Sequence, residues 1–129
     1  MTSNPLLDEV AAVLADASFA LLYGSAASER LTDESDLDIA VAFNEPLAFS
    51  ELLELVVRLE QAAGRRVDLI DLLTADPILR MQVVRYGRPL VVNDQTALHR
   101  FKMYSIALYL DLKLARRPAE RAMVVGRVG

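Results

Sequence analysis

A glycine–serine pair and three aspartates are the residues of this chain best suited by type and spacing to chemistry. Gly24-Ser25 is followed, after residues 26–35, by Asp36-Leu37-Asp38, and later by Asp68 within Val67-Asp68-Leu69-Ile70-Asp71. Alternate side chains of a strand share a face. With residues 37–43 as a strand, Asp36 and Asp38 project together from its start, and Leu37, Ile39 and Val41 point the other way. Neighbouring carboxylates repel, and their proximity needs a cation or a shared proton to offset it. Hard oxygen donors of this kind suit Mg²⁺ or Mn²⁺. Asp68 lies in an apolar stretch, where a lone acid is costly to bury. If its strand pairs beside the second one, Asp68 completes a three-carboxylate cup; Asp71 has the opposite parity and faces away.

Three carboxylates can hold two metal ions about 3.5–4 Å apart. One lowers the pKa of an attacking hydroxyl, and the other orients a triphosphate and stabilises the leaving pyrophosphate. Gly24 lets the backbone approach phosphates closely. N–H groups at the start of a short helix expected from Ser25 to about Glu29, with the Ser25 hydroxyl, can hold the β- and γ-phosphates. Each feature alone has a plainer reading: a turn at Gly-Ser, a solvated strand start at Asp-x-Asp, an ion pair between Asp68 and Arg66. Together and in this order, each at a strand end, they point to transfer of a nucleoside monophosphate from a nucleoside triphosphate.

The elements that must position these residues follow from periodicity and punctuation. Residues 5–16 read as a helix opened by Pro5, with Leu6, Val10, Val13 and Leu14 as its apolar stripe. Residues 18–23 read as a buried strand ending at Gly24, and residues 30–35 as a polar loop. After the second strand, Ser50 is the expected N-cap of a helix to about Ala63, stopped by Gly64. Residues 66–72 read as the third strand. Thr74 is the expected cap of another helix, with Asp76 and Pro77 in its first turn and Gly87 at its end. Residues 89–92 read as a short strand. Asp94 then caps a long helix to about Arg117, which Pro118 closes. Helices and strands interleave, which predicts an α/β or α+β layer structure.

Composition sets the outer bounds. The chain has 129 residues, 53% of them apolar, the size and content of one packed domain. There is no cysteine, which removes disulfides and zinc–thiolate sites and is compatible with the cytoplasm. The N-terminus has no basic stretch followed by an apolar run, and no apolar run reaches membrane-spanning length, so neither a signal peptide nor a membrane span is expected. A net charge of −4 argues against general nucleic-acid binding. The long last helix carries two apolar stripes, one through Leu98, Phe101, Leu108 and Leu112, the other through Met103, Ile106, Leu110 and Leu114, with Tyr104 and Tyr109 between. A surface helix normally has one. The second stripe is either core or a surface for a partner or a second copy of the chain.

The quoted residues resemble the pattern of the polymerase-beta-like nucleotidyltransferase superfamily: GS, a spacer, DxD on the next strand, and a third Asp on a later strand. The matching segments are LLYGSAASERLTDESDLDIAVAF and RVDLIDL. The resemblance covers residues 5–92 and looks most like the minimal nucleotidyltransferase (MNT) proteins of bacteria and archaea. It implies a single nucleotidyltransferase domain over residues 1–129, with a small mixed β-sheet flanked by helices and a C-terminal helix over about 94–117. It also implies a cytoplasmic antitoxin that uses ATP and two Mg²⁺ ions to attach AMP, one unit or several, to a tyrosine of a HEPN-domain ribonuclease toxin. Gly24 and Ser25 would then bind the nucleotide phosphates, and Asp36 and Asp38 both metals. Asp68 would bind the catalytic metal and help deprotonate the tyrosine hydroxyl. Relatives often continue after GS in patterns such as GSRARG; here Ser28 and Glu29 depart from it, and Arg30, two places later, is the candidate for the missing positive charge. Two other functions compete with this one. The first is a nucleotidyltransferase for a small molecule such as an aminoglycoside; the second is a non-catalytic antitoxin that blocks its partner sterically.

Overall fold

A computed structural model describes the backbone of residues 4–24 and 35–128, with side chains as far as residue 115. Its elements in chain order are α1 (Pro5–Val13), β1 (Phe19–Tyr23), β2 (Leu37–Ala42), α2 (Phe49–Ala63), β3 (Val67–Asp71), α3 (Pro77–Tyr86), β4 (Arg88–Val92) and α4 (Gln95–Val128). The short helix expected after Gly24 and most of the loop after it lie outside the described residues.

The four strands form one mixed sheet in the order β3-β2-β1-β4. β1 pairs antiparallel with both β2 and β4, while β2 and β3 run parallel, joined through α2. A parallel pair needs a long crossover, usually a helix, and α2 supplies it. The sheet is covered on both faces. Leu37, Ile39, Val41 and Val67 enter one core with Val10 of α1, Leu14 directly after it, and Leu55 and Leu59 of α2. Leu21, Ala40 and Ala42 enter the other, with Val83 of α3 and Leu98 and Phe101 of α4. The period-2 alternation along β2 therefore divides its side chains between two apolar layers, and only the strand's first residues carry acids.

The helix ends correct three expectations. α2 is capped at Ala48, not Ser50: the Ala48 N–H donates to the Glu51 carboxylate at 2.9 Å, so the reaching-back acid does what a Ser side chain was expected to do. Thr74 does not cap α3. Its hydroxyl instead donates to the Asp71 carbonyl, and Asp76 is the N-cap, accepting from the Leu79 N–H at 2.8 Å. Asp76 directly precedes Pro77, which takes the first helical position, where no N–H is needed. Asp94 caps α4 as expected, accepting from the Ala97 N–H. α4 does not stop before Pro118 but continues to Val128. Within a helix a proline removes one backbone hydrogen bond and crowds one carbonyl, a local cost that does not by itself end the helix.

Among the described residues no helix is long and apolar enough to cross a membrane. Of the two stripes on α4, Leu98 and Phe101 are buried and Leu108 and Leu112 half-buried, whereas Met103, Leu110 and Leu114 are exposed.

Candidate active site

The sheet register sets the geometry of the candidate site. Asp38 is the register partner of Asp68 on one side and of Tyr23 on the other. Neighbouring strands lie about 4.7–4.9 Å apart, so the two carboxylates stand side by side on the face that α3 and α4 cover. Asp36 lies just before β2 and is exposed. The Asp38 carboxyl is pushed above the usual aspartate range, first by partial burial and then by the charges of Asp68 and Asp36. That crowding of like charge is the donor chemistry a divalent cation would relieve, and oxygen ligands of this kind fit Mg²⁺. Among the described residues, no three His, Cys, Asp or Glu side chains close together into a ready-made cation site.

Gly24 follows β1 directly, with φ +67°, and a Cβ there would collide with the Asp38 carboxylate. Two requirements meet at this position: a left-handed backbone, which glycine adopts without steric cost, and room for an aspartate oxygen against the main chain. Ser25 and Arg30 lie outside the described residues. Asp71 faces the other way and is buried, accepting from the Leu47 N–H at 2.9 Å and the Leu73 N–H at 3.0 Å. It fastens the turns at the ends of α2 and β3 and takes no part in the carboxylate pair.

Two features escape the sequence reading. The first is Tyr23. Its hydroxyl is buried without a hydrogen-bond partner among the described residues. Burial, with Asp68 and then Asp38 nearby, holds the phenol well above the ordinary tyrosine range, so it stays a neutral donor beside the carboxylates. Its position directly before Gly24 was visible in the sequence; its pairing with Asp38 depends on the antiparallel register. The second is an open cavity of about 700 Å³ beside Gly24, bounded by Tyr23, Val83, Tyr86 and Arg88. Its walls come from β1, α3 and β4, elements distant in sequence.

Comparisons with known proteins identify the family and the fold. Residues 7–96 match the family model described as polymerase beta, nucleotidyltransferase. The protein adenylyltransferase MntA of Shewanella oneidensis is 33% identical over 96 residues, which is 74% of this chain and 68% of that protein. A candidate protein adenylyltransferase of Methanocaldococcus jannaschii is 51% identical over 51 residues, 38% of this chain, so the match spans about half (51%) of that relative. Among solved structures, a toxin–antitoxin with AMP-PNP superposes with a TM-score of 0.79 at 27% identity, covering 92% of this chain and 98% of that one. A complex of the tri-AMPylated Shewanella oneidensis HEPN toxin with its MNT antitoxin superposes with a TM-score of 0.74 at 26% identity, covering 92% and 96%.

Proposed function

This chain belongs to the polymerase beta nucleotidyltransferase family, and from that premise we propose that it is an antitoxin of the MNT type, a protein adenylyltransferase that moves AMP from ATP onto a tyrosine of a HEPN ribonuclease toxin and so silences it. The observation that carries the reading is the register pair Asp38–Asp68 set against the Cβ-less Gly24. A carboxylate pair beside a close backbone approach suits a polyphosphate whose α-phosphorus is under attack.

In this mechanism the chain positions more than it reacts. Gly24, with Ser25 and Arg30 by their places in the motif, would hold the β- and γ-phosphates. Asp36, Asp38 and Asp68 would hold the two Mg²⁺ ions. When bound, Mg²⁺ supplies charge neutralisation at the transferring phosphoryl and a lowered pKa for the attacking hydroxyl. Asp68 is exposed on β3, an edge strand, where a tyrosine from another protein can reach it. Its carboxylate accepts the proton as the tyrosine oxygen attacks the α-phosphorus and pyrophosphate departs. ATP, Mg²⁺ and a toxin partner all belong to the cytoplasm, where we place the protein.

Labelled ATP tests the reading. With purified toxin and Mg²⁺, label at the α-phosphorus should appear on the toxin and label at the γ-phosphorus should not. Transfer of γ-label would make the chain a kinase; transfer of neither would remove the catalytic reading.

A further inference from the structure

The cavity beside Gly24 holds a set of groups that the carboxylate chemistry does not use. It lies on the β1/β4 side of Asp38, whereas Asp68 stands on the opposite side, on the β3 edge. An acceptor approaching Asp68 from that edge leaves the cavity to the other reactant. Its volume of about 700 Å³ falls within the usual range for a small-molecule site. Leu79 and the buried Val83 supply apolar lining. Tyr86, the last residue of α3, lines the same cavity with its side chain 60% exposed, and the Arg85 guanidinium lies over its ring at 6.0 Å from the centroid. Gln82, one turn earlier on α3, adds an exposed amide.

An exposed aromatic ring, an apolar lining and an amide at the edge of one cleft match the needs of a nucleobase. The base requires a π-face to stack on and a polar partner for its edge. Resting on the nucleotidyltransferase reading above, we propose that this cavity is the nucleobase subsite: Tyr86 stacks the base of the incoming triphosphate and Gln82 hydrogen-bonds its edge. A glutamine amide can pair with the edge of adenine through one donor and one acceptor. The α-phosphate then falls at Asp38, past Gly24, and Arg88 at the start of β4 adds a positive charge to the cavity wall.

Calorimetric titration of a non-hydrolysable ATP analogue, with inorganic tripolyphosphate as companion probe and Mg²⁺ present throughout, tests this. Stacking on an aromatic ring predicts that Tyr86→Ala weakens the ATP analogue about tenfold or more, that Tyr86→Phe stays within about twofold of wild type, and that tripolyphosphate binds all three equally. Gln82→Ala should weaken the ATP analogue and leave tripolyphosphate unchanged. Because both residues are exposed, both variants should keep the wild-type melting temperature. Unchanged ATP affinity in Tyr86→Ala overturns the subsite while leaving the transferase reading intact. So does an equal loss of tripolyphosphate, or a variant that raises only the KM for the protein acceptor, which would make the cavity the acceptor's. A wild-type protein that binds no nucleoside triphosphate at all would overturn both this inference and the reading it rests on.

Discussion

Asp68 and Asp71 occupy the same strand and face opposite sides of the sheet, and their roles divide accordingly. Asp68 stands beside Asp38; Asp71 holds the Leu47 and Leu73 N–H groups. Asp71→Ala leaves two backbone donors without their acceptor and should cost about 1–3 kcal/mol of stability, with AMP transfer retained in the folded fraction. Asp68→Asn removes a charge that crowds Asp38, so it should melt no lower than wild type and abolish transfer; a toxin assay and a thermal melt on both variants separate the two. Asp38 has a second consequence. Its raised pKa means that the native carboxyl binds a proton more readily than the unfolded one. Its contribution therefore favours folding at low pH and is lost as pH rises through the folded pKa. Without added cation, Asp38→Asn should melt above wild type at neutral pH, and the gap should shrink as the pH falls into the carboxylate range. Mg²⁺ should raise the melting point of wild type more than that of the variant. A gap that persists at acid pH would rule out burial and like charge at the Asp38 carboxylate as its cause. The parity of Asp38, Asp68 and Asp71 was legible because a strand's period of two is written in the sequence. Tyr23 was not, since its meeting with Asp38 depends on how β1 pairs.

At the scale of elements, strong punctuation was legible and capping chemistry less so. Gly64 ends α2 in the left-handed conformation, with φ +66°, and Gly87 follows α3. The caps moved because any nearby carboxylate can satisfy an orphan N–H: Glu51 reached back to Ala48, and Asp76, not Thr74, stood next to Pro77. The last helix shows what periodicity leaves open. Two apolar stripes identify two faces but not which one the sheet takes; packing on α3 and β1 buries Leu98 and Phe101 and leaves Met103, Tyr104, Leu110 and Leu114 outside. We propose that the toxin docks on this outer face. Tyr104 is 59% exposed, so Tyr104→Glu should keep the wild-type circular dichroism and melting curve while weakening toxin association about tenfold, the loss typical of a truncated interface anchor. Pull-down with unchanged affinity would place the docking surface elsewhere. Leu108 is half-buried and a poorer probe, because charge there also perturbs the core.

In the whole molecule, recognition and chemistry fall on different elements. We propose docking on a helix face, catalysis at the end of the sheet at Asp36, Asp38 and Asp68, and base binding in the cavity between them and α3. The sequence carried the interleaved order of helices and strands and the acids at strand ends. It could not carry the strand order β3-β2-β1-β4, which puts Asp68 on an edge and the cavity on the other side of Asp38. That arrangement arises from pairings between residues far apart in the chain. On the proposed function, silencing of the toxin is covalent and runs through Asp38. The most direct measurement is the intact mass of the toxin, with its ribonuclease activity, after incubation with Mg²⁺, ATP and either wild-type chain or Asp38→Asn. Wild type should add one or more AMP units and extinguish the activity; Asp38→Asn should bind the toxin, add no mass and leave the freed toxin active. An Asp38→Asn protein that silences the toxin as fully as wild type, with no mass added in either case, would contradict the account and make this chain a steric inhibitor.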